Sequence, residues 1–217
     1  MTSRPRVIVN VAMSLNGMIA GKSGERVNIS SAYDWERVYK LRSSVDAIVV
    51  GANTVIRDNP KLSINHVEND IQKLPTRVIL DANLRVPRNA NVFDGSMRTI
   101  VFTEKSDEIQ NAEMMQRKRH ELLVDNLLTE FSSFGFKRIL VEGGKSVISE
   151  FVSSGNVDEF YLYIGDILIE KDGLRLFDLD TNITNVISDI KMMKSGVLIS
   201  LNPYLLRESW IKKVRDF

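Results

Sequence analysis

The sequence contains no cysteine in its 217 residues. That excludes disulfides, thiolate nucleophiles, Cys-ligated zinc and Cys-bound iron–sulfur clusters. Imidazole is scarce as well. His66 and His120 stand far apart, in polar surroundings and without metal-ligand spacing, so no metal centre is expected. An excess of one charge is missing too: 29 Lys+Arg face 28 Asp+Glu, which leaves no basic footprint for nucleic acid. No apolar run approaches the length of a membrane span. The first residues, Met1 to Arg6, lead straight into a strand with no apolar leader. A cytoplasmic protein without membrane or nucleic-acid partners is therefore expected.

What is present is an ordinary globular composition, 43% hydrophobic, enough to bury a core. There is no internal repeat and no low-complexity linker. The reading is a single domain over residues 1–217, with 205–217 as a C-terminal tail of helical character.

Two stretches carry most of the chemical information: Val50-Gly51-Ala52-Asn53-Thr54 running on to Asp58-Asn59-Pro60, and Ile139-Leu140-Val141-Glu142-Gly143-Gly144-Lys145-Ser146. Each is an apolar β run that breaks at glycine into a helix start. A helix start leaves backbone N–H groups free, which makes it a ready phosphate site. Two of them fit a phosphorylated dinucleotide, a phosphorylated substrate, or both. Glycine also serves a plain strand-to-helix turn, and the second stretch is neither a Walker A loop nor a GxGxxG fingerprint.

Periodicity supplies the frame. Arg6 to Met13, Asp46 to Val50, Arg77 to Asp81, Arg98 to Thr103, Arg138 to Val141, Glu159 to Ile164, Thr184 to Met193 and Gly196 to Leu201 read as strands, and Glu121 to Val124 as a short one. Ser30 or Ser31 caps a helix through Arg42. Asn53 or Thr54 opens a short helix that Pro60 stops. Asp107 to Arg119, Leu127 to Phe134 and Ser146 to Ser154 read as further helices, the last ended by Gly155. Gly17, Gly21 and Gly24 mark a turn-rich loop, and Ser63 to Leu74 a polar one. Parallel βαβ units followed by an antiparallel C-terminal edge predict an α/β fold: a mixed, mostly parallel sheet with helices on both faces.

Several side chains are placed for chemistry. Thr54 and Asp58, four apart, share one helix face. Lys145 and Ser146 add a charge and a hydroxyl to the glycine turn. Arg42 ends a helix beside a strand, where it forms an ion pair or clamps a phosphate. Met13-Ser14-Leu15-Asn16-Gly17 ends the first strand, on the side where α/β sheets bind ligands.

Taken in order, these motifs resemble the reductases of riboflavin synthesis that act on a ribosylaminopyrimidine 5′-phosphate. The resemblance rests on Met13 to Gly17, Val50-Gly51 with Thr54-Val55, Asp58-Asn59-Pro60 with Leu62, Leu84-Arg85-Val86-Pro87, Val141 to Gly144 and Val157-Asp158-Glu159. It implies a dihydrofolate-reductase-like fold, NADPH as cofactor with NADH as the variant, and a homodimer. It implies cofactor contacts at Ala12, Asn28, Gly51, Thr54, Asp58, Asp81, Ala82 and the turn Gly143, Gly144, Lys145 and Ser146. Substrate contacts are implied at Asn10, Ser14, Arg42, Leu62 and Glu142, with Arg42 suited to the ribose 5′-phosphate. Asp58, then Glu142, are the implied catalytic carboxylates. This chain departs from the family pattern at Asn16, Asn65, Lys145 and the stretch Ile169 to Gly173.

The family reduces either a 2,5-diaminopyrimidinone or the deaminated uracil. A deaminase needs a Cys-rich zinc site, so a stand-alone reductase of the diamino compound is expected. Asn10 points the same way, because an amide, unlike the lysine of bacterial relatives, also accepts from an exocyclic amino group. The implied reaction is direct hydride transfer to C1′ of a Schiff base. A pterin reductase and a nucleotide-binding module without catalysis are the competing expectations.

Overall fold

A computed structural model describes residues 4–64, 74–177 and 182–207. In chain order the elements are β1 (Arg6–Ser14), β2 (Met18–Lys22), α1 (Ala32–Ser43), β3 (Ala47–Gly51), α2 (Ala52–Asp58), β4 (Thr76–Leu80), β5 (Thr99–Thr103) and β6 (Glu113–Gln116). They continue with α3 (Val124–Ser133), β7 (Arg138–Gly143), α4 (Lys145–Ser154), β8 (Glu159–Gly165), β9 (Gly173–Arg175), β10 (Ile187–Met192) and β11 (Val197–Leu201).

Nine described strands form one sheet in the order β10-β11-β8-β1-β7-β3-β4-β5-β6. The strands from β8 to β6 pair in parallel, and β11 alone runs against the rest, pairing antiparallel with both β8 and β10. The chain builds outward from β3 to β6, then returns to insert β7 between β3 and β1. That reversal puts the carboxyl ends of β1, β7, β3 and β4 around one crevice, the place where open α/β sheets bind ligands.

Strand alternation divides the core into two layers. Val7, Val9, Ala47, Val49, Ile139 and Val141 face α3 and α4, where Leu127, Phe131, Ile148 and Phe151 meet them. Ile8, Ile48, Val50 and Leu140 face the other way, onto Val55 of α2 and Leu41 of α1. Each fully buried Val, Leu, Ile or Phe among them contributes about 1.5–3 kcal/mol. The central strands are buried on both faces, which is why they read as continuous apolar runs.

Three expectations are corrected. Asp107 to Arg119 is not a helix: its middle is β6, an edge strand whose Met115 packs into one core layer and Met114 into the other. Pairing with β5, a non-local event, overrides the local polarity. Glu121 to Val124 is not a strand. Arg119 to Leu122 make a single 3-10 turn and α3 starts at Val124. The glycine-rich loop after β1 contains β2, which pairs with β9 as a separate two-stranded sheet. Of the tail, residues 203–207 are helical and Leu206 is buried in the core layer of α3 and α4. The remainder of 205–217, and most of the Ser63 to Leu74 loop with His66, lie outside the described residues. Among the described residues no helix is long and apolar enough to cross a membrane.

Candidate active site

A cleft of about 1550 Å³ opens at the carboxyl ends of β1, β7, β3 and β4. Its wall includes Asn10, Ala12, Asn28, Arg42, Gly51, Thr54, Asp58, Leu62, Asp81, Ala82, Glu142, Gly143, Gly144, Lys145 and Ser146. The candidate residues scattered over the sequence thus converge on one cavity. Ser14 does not. It is fully buried, donates to Asn16 Oδ1 at 2.7 Å and accepts from the Met18 amide at 3.0 Å, so its hydroxyl is spent on the turn into β2.

The two glycine turns stand side by side because β3 and β7 are neighbours. A Cβ on Gly144 would lie 3.0 Å from Thr54 Oγ1, and one on Gly51 would lie 2.8 Å from Val147 Cγ2. Gly143 has φ +133°, a backbone setting that side chains avoid, and its peptide bond to Gly144 is cis. No side chain caps the first turn of α4. Its N–H groups therefore face the cleft with the positive end of the helix dipole, fit for an anion. Space that only glycine leaves, beside open amide donors, suits the pyrophosphate of a dinucleotide.

Asp58 ends α2 on the face that carries Thr54, and its carboxylate makes no hydrogen bond to any described group. Burial pushes its pKa above the ordinary aspartate value, and the nearby Arg26 and Arg57 guanidiniums offset part of that rise. Arg26 Nη1 also donates to the Asp58 carbonyl at 3.4 Å. The turn after β2 closes this side of the cavity, with Gly24 packed directly on the Arg57 guanidinium. Neither arginine stood out in the sequence. The only trace was Gly24, whose lack of a side chain admits that contact.

Arg42 and Glu142, expected as separate substrate contacts, are paired with each other. Arg42 Nε and Nη2 donate to Glu142 Oε1 and Oε2 at 2.8 and 2.7 Å, and Nη1 donates to the Ser63 carbonyl at 2.8 Å. Burial alone would lower the Arg42 pKa. The charge and hydrogen bonds of Glu142 outweigh it, so the guanidinium stays firmly charged. Trp35 and Tyr39 flank it, with ring centroids 5.8 and 6.0 Å away. Three of its five N–H donors are thus taken inside the protein.

Asn10 differs from expectation in a second way. Its carbonyl oxygen already accepts from Arg37 Nη2 at 2.8 Å. The acceptor expected to greet a substrate amino group is thus used inside the protein. Asp81 is buried, with Oδ2 accepting from the Val86 amide at 2.8 Å and Oδ1 left without a partner among the described residues. It fixes the turn that carries Ala82 and Arg85 past the cleft. Arg85 in turn donates to Asn53 Oδ1 at 2.9 Å.

A family model described as RibD C-terminal domain matches residues 5–198. The chain belongs to that family. Two archaeal relatives share one name. The 2,5-diamino-6-ribosylamino-4(3H)-pyrimidinone 5′-phosphate reductase of Archaeoglobus fulgidus is 35% identical over 180 residues, covering 76% of this chain and 82% of that protein. Its namesake from Methanothermobacter thermautotrophicus is 33% identical over 174 residues, 76% and 80% of the two chains. Among solved structures, the deaminase/5-amino-6-(5-phosphoribosylamino)uracil reductase of Thermotoga maritima superposes with TM-score 0.78 at 28% identity. The match covers 92% of this chain and 57% of that one, so this chain spans under two thirds of the bifunctional protein. The dihydrofolate reductase of Enterococcus faecalis, solved with NADP(H), matches over 90% of this chain and 94% of its own, with TM-score 0.50 at 13% identity. That likeness concerns the fold, which is dihydrofolate-reductase-like.

Proposed function

We propose that this RibD-family reductase uses NADPH to convert the ribosylamino group of 2,5-diamino-6-ribosylamino-4(3H)-pyrimidinone 5′-phosphate to the ribitylamino group. One observation carries the reading: Thr54, Asp58 and the Gly143–Ser146 turn line the same cleft as Asn10 and Glu142. A dinucleotide cradle and a polar substrate pocket are thereby continuous. The names of the two archaeal relatives support the diamino compound as substrate.

The cradle fits a nicotinamide dinucleotide: the amides at the start of α4, with Thr54 closing on the same turn, would hold its pyrophosphate. Asp81 and Ala82 would border its adenosine side, and Arg85 would supply a cation for a 2′-phosphate, which would favour NADPH over NADH. When bound, the nicotinamide supplies the hydride that reduces C1′ of the substrate. The protein's own residues do the rest. The cleft holds the substrate with its sugar opened to the Schiff base and excludes water from it. Asp58, its pKa raised by burial, carries the proton that the glycosidic nitrogen gains as C1′ is reduced. Glu142, fixed by Arg42, presents a carboxylate edge to the ribose hydroxyls or the ring. Leu62 and Ala12 give the pocket its apolar surface, and Asn28 a polar contact.

One observation favours a second reading. The hydrogen-bonding group of Asn10 left for the cleft is its NH2, a donor, which suits a uracil carbonyl as well. Side-by-side turnover of the diamino and uracil compounds separates the two. A preference for the diamino substrate is expected, and equal or reversed turnover would remove it.

We also infer a single-domain homodimer. Strand β10 closes one edge of the sheet and exposes Ile187, Ile190 and Met192. An apolar edge strand with unpaired backbone groups invites a second chain. Sedimentation should give twice the mass of one chain, and a monomer at micromolar concentration would contradict it.

A further inference from the structure

Four residues of the cleft wall and the helix behind it form a chain of polar contacts that the functional reading does not absorb. Ser30 Oγ donates to Asp34 Oδ2 at 2.6 Å. Arg37 Nε and Nη2 both donate to Asp34 Oδ1, at 2.8 and 2.7 Å. Arg37 Nη2 donates again, to Asn10 Oδ1 at 2.8 Å. Asp34 is 1% exposed and Asn10 7%. The chain is anchored in the fold, because Ser31 Oγ caps α1 by accepting from the Asp34 amide at 3.3 Å.

A guanidinium has no acceptor, so only the oxygen of the Asn10 amide is able to face it. The bond is charge-assisted and its donor is clamped by a buried carboxylate, so flipping the amide would set two donors against each other. Nδ2 has no partner among the described residues. Unlike Arg77 Nε and Asp81 Oδ1, it is not a sealed, orphaned atom. Asn10 lines the cleft.

We propose that Arg37 is a positioning residue for substrate recognition: it locks the Asn10 amide with its oxygen turned inward and its NH2 turned to the cleft. Asn10 then meets the pyrimidine as a donor, and the ring atom it reads bears a lone pair and no hydrogen, a carbonyl oxygen or an unprotonated ring nitrogen. An exocyclic amino group at that place would put donor against donor. This rests on the pyrimidine reading above and adds which edge of the ring Asn10 selects.

The test is a double-mutant cycle on the full chain: wild type, Arg37→Met, Asn10→Ala and the double variant, each assayed with NADPH and the ribosylaminopyrimidine phosphate. Arg37→Met should raise KM for the pyrimidine about tenfold, the scale of one lost hydrogen bond, with kcat within about threefold. NADPH affinity, read by fluorescence titration, should not move. In the Asn10→Ala background the same change should alter KM less than about twofold, because its target is gone. Arg37→Lys, still donor-only and still beside Asp34, should restore most of the KM.

Asn10→Asp covers the case in which Arg37→Met fails to fold. It keeps the shape and the Arg37 contact but offers the cleft an acceptor, and KM should rise at least about tenfold. An Arg37→Met effect of equal size in both backgrounds, or an Asn10→Asp enzyme with wild-type KM, overturns the proposal while the functional reading stands. A wild type that oxidises NADPH with neither the diamino nor the uracil substrate overturns that reading, and this proposal with it.

Discussion

Arg42 of α1 and Glu142 of β7 lie a hundred residues apart and meet through two hydrogen bonds, of 2.8 and 2.7 Å, in the wall of the cleft. Their side chains are 7% and 10% exposed. The pair ties the helix over the crevice to the strand that ends in the Gly143–Gly144 turn, so it couples the proposed substrate pocket to the proposed cofactor cradle beside it.

Breaking that pair from one side leaves a buried charge without its counter-ion. Glu142→Ala should therefore lower stability by about 3–5 kcal/mol, the usual cost of such a half-pair. Urea denaturation measures it. Replacing both partners, Arg42→Met with Glu142→Leu, should restore much of the stability but not the activity. A single variant as stable as wild type would show the pair to be well solvated and dispensable.

Asp58 gives a prediction of opposite sign. Its pKa is raised in the folded protein, so ionising it costs stability. The cost is absent below the unfolded pKa and fully present above the folded one. Asp58→Asn should thus be more stable than wild type at neutral pH, with the gain vanishing in acid. Turnover should fall at least about tenfold, near the low end for a lost acid–base group. The wild-type rate should decline as pH rises through the raised pKa, and the variant should lack that limb. Undiminished turnover in Asp58→Asn would remove this residue from the chemistry.

The proposed cofactor cradle is tested by adding one carbon. Gly144 has a backbone conformation that alanine tolerates, φ −71° and ψ −170°, but its Cβ would sit 3.0 Å from Thr54 Oγ1. Gly144→Ala should fold, with melting temperature little changed, and bind NADPH at least about tenfold more weakly, the effect of losing about 1.4 kcal/mol. Calorimetric titration reports this directly. Wild-type affinity would place the pyrophosphate elsewhere.

A fourth prediction concerns the frame. Arg77 is fully buried at the base of the sheet, and its guanidinium donates to the Val92 carbonyl at 2.9 Å and to Asp94 Oδ1 at 2.8 Å. Hydrogen bonding to Arg77, and then to Ser96, holds the Asp94 pKa well below the aspartate range. A depressed pKa stabilises the fold above the unfolded value and loses that contribution as pH falls. Asp94→Asn should melt lower than wild type at neutral pH, and the two curves should converge in strong acid. A constant gap at every pH would deny the ion pair its role.

Much of this arrangement was legible in the sequence because it is local. Gly51 and Gly143-Gly144 follow apolar strands buried on both faces, Ser31 precedes the helical spacing of Val38 and Arg42, and Gly155 ends α4 in the left-handed conformation. What was hidden depends on pairing across sequence distance. Strand β6 reads as a polar helix until β5 is placed beside it. Strand β2 reads as a glycine loop until β9 meets it. The same holds within the site. Arg42 and Asn10 were recognisable as polar groups near a ligand, but nothing in their neighbourhood shows that Glu142 and Arg37 already occupy them. Arg57 precedes Asp58 directly, but Arg26 comes to flank it only after the turn at Gly24 folds over α2.

The central claim, that this cleft brings a reduced nicotinamide to an opened ribosylamine, is tested most directly by following NADPH absorbance with synthetic substrate. The purified chain should oxidise NADPH only when 2,5-diamino-6-ribosylamino-4(3H)-pyrimidinone 5′-phosphate is added, with the ribitylamino compound as product. Stable absorbance with both that compound and its uracil counterpart, or NADPH consumption driven by a pterin instead, would contradict it.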